Sequence, residues 1–115
     1  VKRRVLIAED EALLADMLRD IFEDYDFEVF AFATADEACA YLERNRPALD
    51  LLFTDVKMPG LKTGLDLAYQ ARQLHPGLPV VISSGYFDGP VQKLSEMTLL
   101  PKPWDLDRLV AVCAL

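Results

Sequence analysis

Apolar residues fall into two kinds of run that take turns along the chain. Val5–Ala8, Leu51–Thr54, Val80–Ser83 and the brief Leu99–Leu100 are short and nearly continuous. Such runs are expected of parallel strands covered on both faces. Glu28–Ala33 (EVFAFA) also has strand chemistry. Between these runs the apolar residues recur every three or four positions. Over Glu11–Tyr25 this places Leu14, Met17, Leu18, Ile21 and Tyr25 on one helical face. Thr34-Ala35-Asp36-Glu37 reads as a capping box opening a helix to about Asn45, before Pro47. A third helix is predicted from Gly64 to His75, with Leu67, Ala71 and Leu74 inward and Pro76 as its stop. Asp105 caps a last helix that turns Leu106, Leu109, Val110 and Cys113 inward. Lys57–Thr63 holds Pro59 and Gly60 and is loop, and Gly89-Pro90 leaves room for only a short helix around Val91–Met97. Five strands alternating with helices imply a parallel sheet wrapped on both faces by right-handed crossovers, a three-layer α/β/α fold.

Composition narrows the class without naming a function. At 115 residues the chain has room for one core, so 1–115 is expected to be a single domain. Apolar residues make up 52% and charged residues 27%, which is globular rather than disordered composition. No apolar run approaches the roughly 20 residues needed to span a bilayer. Lys2, Arg3 and Arg4 are followed by an apolar stretch that stops at Glu9, too short for a secretory signal. A cytoplasmic protein without membrane contact is expected. Cys39 and Cys113 form no CxxC pair and read as small buried hydrophobes. A net charge of −7 argues against direct binding of nucleic acid.

In open sheets of this kind, ligands bind outside the carboxyl ends of the strands. The residues there are Glu9 and Asp10 after the first strand, Asp55 after the third, Ser84 after the fourth and Lys102 after the fifth. One acid after a strand is usually a helix cap. Five polar residues closing four apolar runs at one sheet edge are harder to explain that way. Three carboxylates brought together repel one another and require raised pKa values or a cation. Oxygen-only ligands favour a hard ion, and openness to solvent and phosphate favours Mg²⁺. Asp55 is then the nucleophile, attacking as its anion to form an acyl phosphate. Lys102 and the Ser84 hydroxyl can meet the phosphoryl oxygens.

Glu9-Asp10-Glu11, Asp55 followed by Met58-Pro59-Gly60, Ser84-Gly85 and Lys102-Pro103 resemble, in order and spacing, the receiver domain of bacterial two-component response regulators. The resemblance covers essentially the whole chain. It implies a flavodoxin-like sheet of order 2-1-3-4-5, in which the short helix read around Val91–Met97 is a shortened fourth helix. It implies that Asp10 and Asp55 bind Mg²⁺ directly, with the Lys57 backbone carbonyl as third protein ligand and Glu9 acting through water. The phosphoryl donor would be a histidine on a partner kinase or histidine phosphotransfer protein, and a homodimer is left open. Such a module is no enzyme towards other substrates; it catalyses only its own phosphorylation and dephosphorylation.

The sequence also departs from the family pattern. Leu99 stands three positions before the lysine, where an aromatic is usual, which puts the family's Ser/aromatic switch in doubt. The segment from Ser84 to Lys102 is a few residues short, and the loop Met58–Gly64 is one residue longer than the commonest version. With Ser84-Gly85-Tyr86 and Leu100-Pro101-Lys102-Pro103, this resembles receivers fused to hybrid sensor kinases. Lys57 and Tyr86 each lie two residues past a site residue, where side chains can gate the hydrolytic water. His75 reads as a cap or surface residue and Trp104 as a packing anchor. Two competing functions fit less well. An unphosphorylated interaction domain would have lost an acid or the lysine. An aspartyl phosphohydrolase would carry a second acid two residues after its nucleophile, where this chain has Lys57.

Overall fold

Strand β1 (Arg3–Ala8) lies in the interior of a sheet whose five strands are all parallel. The computed structural model describes residues 2–85 and 97–115. After β1 come α1 (Ala12–Asp24), β2 (Phe27–Phe32), α2 (Ala35–Asn45), β3 (Leu51–Asp55), α3 (Gly64–Leu74) and β4 (Val80–Ser84). Then follow β5 (Thr98–Pro101) and α4 (Leu106–Val112). The strand order is β2-β1-β3-β4-β5, as the family resemblance implies. The short helix expected around Val91–Met97, together with Tyr86, Phe87 and Gly89-Pro90, falls largely on residues 86–96 and lies outside the described residues.

Side-chain alternation along the strands divides the core in two. Leu6 and Ala8 of β1 join Leu52, Val80 and Ile82 beneath α2 and α3, with Ala38, Leu42, Leu67 and Ala71 facing them. Val5 and Ile7 join Phe53 and Val81 on the opposite face, against Leu18 and Phe22 of α1 and Leu109 and Cys113 of α4. β3 and β4 are buried at every residue, which explains the apolar triplets Leu51–Phe53 and Val80–Ile82 that open them. Cys39 and Cys113 are both buried, and burial pushes the Cys113 thiol up to about 12.

Three expectations about faces and caps need correction. Met17 and Tyr25 are 44% and 41% exposed, whereas Phe22 is fully buried. The Phe22 ring packs edge-on to Phe27 and Phe53, with centroids 5.3 and 6.1 Å away, and this turns the buried face of α1 towards Leu18 and Phe22. Tyr25 is the C-cap, beyond the last helical turn. Leu106 is 52% exposed because it is the first residue of α4, and helical side chains lean towards the N-terminus, here past the helix end. The Thr34 box is only half formed. The Thr34 hydroxyl accepts from the Glu37 N–H at 3.1 Å, but the Glu37 carboxylate takes the Thr34 hydroxyl proton rather than the backbone N–H. His75 does cap α3, its ring Nε2 2.6 Å from the Pro47 carbonyl oxygen.

Candidate functional site

The carboxyl ends of β1, β3, β4 and β5 converge on one edge. Glu9 continues β1 by one residue, its N–H donating to the Phe32 carbonyl at 3.0 Å, and its side chain is buried. Asp55 closes β3 and is nearly buried, while Asp10 is exposed. Each of the three brings one carboxylate oxygen within 4.8 Å of the others.

Lys102 is the counter-charge. Its ammonium donates to Asp55 Oδ2 at 3.0 Å and to Glu9 Oε1 at 3.2 Å. The second oxygen of each acid is also occupied. Asp55 Oδ1 accepts from the Val56 N–H at 2.7 Å, and Glu9 Oε2 accepts from the Glu11 N–H, at the start of α1, at 3.0 Å. Lys102 is placed by the sheet. Its own N–H donates to the Ser84 carbonyl at 3.0 Å, which extends the β4–β5 pairing, and the Lys102-Pro103 peptide is cis.

Protonation follows from these contacts. Burial raises the Glu9 pKa, and the Glu11 N–H and Lys102 only partly oppose it. For Lys102, burial alone would lower the pKa, but the hydrogen bond to Asp55 and the charge of Glu9 outweigh it and the value is raised. The ammonium is therefore held charged between two acids.

Ser84 is buried at the end of β4, one residue past Ser83, which lies opposite Asp55 in the sheet register. Lys57 is exposed, two residues beyond Asp55. Glu9, Asp10, Asp55 and Lys102 are thus brought into direct contact or near contact, with Ser84 on the adjoining strand. Leu99 packs against the α2/α3 side of the core. Trp104 is held by more than packing: its indole N–H donates to the buried Ser83 hydroxyl at 2.9 Å, and its ring meets Phe53 edge-on at 6.4 Å.

Two contributors are absent from the sequence reading. Gly64, the first residue of α3, is pressed against the end of β3. Its N–H donates to the Val56 carbonyl at 2.9 Å, and any Cβ there would collide with the Asp55 carbonyl oxygen. Thr63 caps the same helix through a complete box with Asp66. The pattern Thr63-Gly64-Leu65-Asp66 is the signal that marks it.

The donors suit a hard divalent cation. They are all carboxylate oxygens, one belongs to an exposed residue, and with all three ionised the charge of Lys102 alone does not balance them.

A family model described as "Response regulator receiver domain" matches residues 5–114. The DNA-binding transcriptional regulator NtrC of Salmonella typhimurium is 31% identical over 112 residues, covering 94% of this chain but only 23% of that protein. The chain therefore spans about a quarter of the length of this relative. The crystal structure of a response regulator receiver protein from Sinorhizobium medicae superposes with a TM-score of 0.86 at 26% identity, over 98% of this chain and 92% of that one. The receiver domain of the hybrid histidine kinase CckA gives a TM-score of 0.81 at 32% identity, over 96% and 95% of the two chains. No described helix is long and apolar enough to cross a membrane.

Proposed function

This chain belongs to the response regulator receiver domain family, and from that premise we propose that it accepts a phosphoryl group on Asp55 within a two-component phosphorelay. The observation that carries the reading is the convergence of Glu9, Asp10 and Asp55 within 4.8 Å around an edge that also presents Lys102. The donor is a phosphohistidine of a histidine kinase or histidine phosphotransfer protein. An Asp55 oxygen attacks phosphorus in line, the new P–O bond forms as the P–N bond breaks, and the imidazole leaves.

Asp10 and Asp55 would hold Mg²⁺ directly, with the Lys57 carbonyl as third protein ligand and Glu9 contacting it through water. Bound there, the ion supplies positive charge to the phosphoryl oxygens as they approach the carboxylates. Lys102 already donates to Asp55, so a phosphoryl group on that side chain brings its oxygens within reach of the same ammonium. Ser84 offers a hydroxyl on the neighbouring strand. The chain acts as one receiver domain in the cytoplasm, catalysing its own phosphorylation and dephosphorylation and changing its affinity for downstream partners. Its likeness to the CckA receiver supports a place in a hybrid sensor kinase.

Incubation with acetyl phosphate and Mg²⁺, read by intact mass, tests this. One added phosphate is expected, lost in Asp55→Asn and in EDTA. No adduct under any Mg²⁺ or small-donor condition would instead support a phosphate-independent interaction domain.

A further inference from the structure

The loop after Asp55 is held by a residue from a different layer of the sequence. Asp36 sits in the first turn of α2, where an acid ordinarily serves its own helix end. Here both carboxylate oxygens are turned to another segment. Oδ2 accepts from the Leu61 N–H at 3.0 Å and Oδ1 from the Lys62 N–H at 2.7 Å. These two bonds are the main reason the Asp36 carboxyl lies below its ordinary range.

The approach depends on Gly60. Its φ of +113° is one that side-chain-bearing residues rarely adopt, and a Cβ would run into the Asp36 carboxylate. Packing holds the loop at its start, where Val56 and Met58 on either side of Lys57 lie against the α2/α3 core, but not at Leu61, which is 96% exposed, or at Lys62, also exposed. α2 provides a firm support, because Ala35, Ala38 and Leu42 are fully buried. On the far side the loop is fixed by the Thr63–Asp66 box and by Gly64 against Asp55. Between these anchors and Asp55 lies Lys57, whose carbonyl the proposed function assigns to the cation.

We propose that Asp36 is a positioning residue for the divalent-cation site: by clamping the Leu61 and Lys62 amides it presets the loop that carries the Lys57 carbonyl. The proposal rests on the function proposed above. Without the clamp the loop must be ordered when the cation binds, and that ordering weakens affinity.

The test uses the whole chain with Asp36→Ala and Asp36→Asn, the second retaining one acceptor oxygen and nearly the native shape. Amide exchange at Leu61 and Lys62, melting temperature and Mg²⁺ affinity of the unphosphorylated protein are measured, the last by NMR titration. Faster exchange confined to this loop is expected, with little change in melting and Mg²⁺ binding weaker by about tenfold in Asp36→Ala, the low end for loss of a supporting group. Asp36→Asn should fall between, and it carries the test alone if the alanine variant fails to fold. Unchanged Mg²⁺ affinity, or unchanged exchange at Leu61 and Lys62, overturns the positioning role. A wild-type chain that neither binds Mg²⁺ nor takes phosphate overturns the underlying function instead, so the two failures are distinguishable.

Discussion

Replacing Lys102 by methionine keeps most of the side chain's length and removes its charge, so it isolates what the ammonium does for the two buried acids. The native side chain is 22% exposed, Glu9 is 1% and Asp55 12% exposed, and both contacts are 3.2 Å or shorter. Removing one member of a buried ion pair costs about 3–5 kcal/mol. The partial exposure of Lys102 and Asp55 places the expected loss near the lower end, about 3 kcal/mol at neutral pH without divalent cation. The pH dependence follows from Glu9. Its folded pKa already lies above the ordinary 4.5, so it binds protons more tightly in the folded protein, and its contribution to stability falls as pH rises from 4.5 through the folded value. Lys102 is one of the groups opposing that rise. In Lys102→Met the Glu9 pKa climbs further, and the penalty extends to higher pH. The raised Lys102 pKa gives the complementary sign in the wild type: its stabilisation is complete below the ordinary 10.5 and is lost as pH rises through the folded value. Urea unfolding of both proteins at about pH 7 and about pH 5, in EDTA, should therefore show the difference shrinking in acid as Glu9 takes a proton. Millimolar Mg²⁺ at neutral pH should also shrink it, because a cation replaces the missing charge. A loss that is the same at both pH values would refute this account of Glu9. Equal stability of the two proteins at neutral pH in EDTA would refute the pairing itself.

Gly64→Ala should destabilise the fold by about 3 kcal/mol in urea unfolding, at the upper end for overpacking, because the added methyl meets the Asp55 backbone rather than a side chain that can swing away. The same variant should accept phosphate from acetyl phosphate more slowly, since the Asp55 peptide must shift to admit it. Trp104→Phe should cost about 1–2 kcal/mol by stranding the buried Ser83 hydroxyl, and adding Ser83→Ala should recover part of the loss in a double-mutant cycle. Phe22→Ala should cost about 3–5 kcal/mol in the same assay, while Met17→Ala, at a 44% exposed position of the same helix, should cost far less.

The parts of this molecule that were legible in the sequence are those that local residue chemistry determines. β3 and β4 are buried on both faces, so each opens on three consecutive apolar residues and turns polar only over its last two, at the site edge. Glu9 and Lys102 are the first polar residues after their apolar runs, Asp55 and Ser84 follow theirs one step behind Thr54 and Ser83, and the parallel topology places all four at one edge. The face of α1 is less legible. Periodicity alone gives a stripe through Met17, but the rings that settle the matter, Phe27 and Phe53, come from two strands later in the chain. The sequence marks Trp104 as an anchor but not as a donor to Ser83, since an indole on an apolar surface and one with a buried hydrogen bond look alike in a sequence.

Asp36 marks the limit of such reading. It lies in a segment that resembles a capping box, and its first-turn position already accounts for an acidic residue there. Its actual partners are the backbone amides of Leu61 and Lys62, 25 and 26 residues away. Every residue but proline carries such an amide, so donating one leaves no trace in the choice of side chain. The trace that does exist is indirect: Gly60 must be able to take a positive φ, and no side chain can stand between it and the carboxylate. A glycine after Pro59 has an ordinary explanation as a turn residue. Only the distance between the two segments turns that ordinary glycine, and that ordinary helix-end acid, into the two halves of one clamp on the loop beside Asp55.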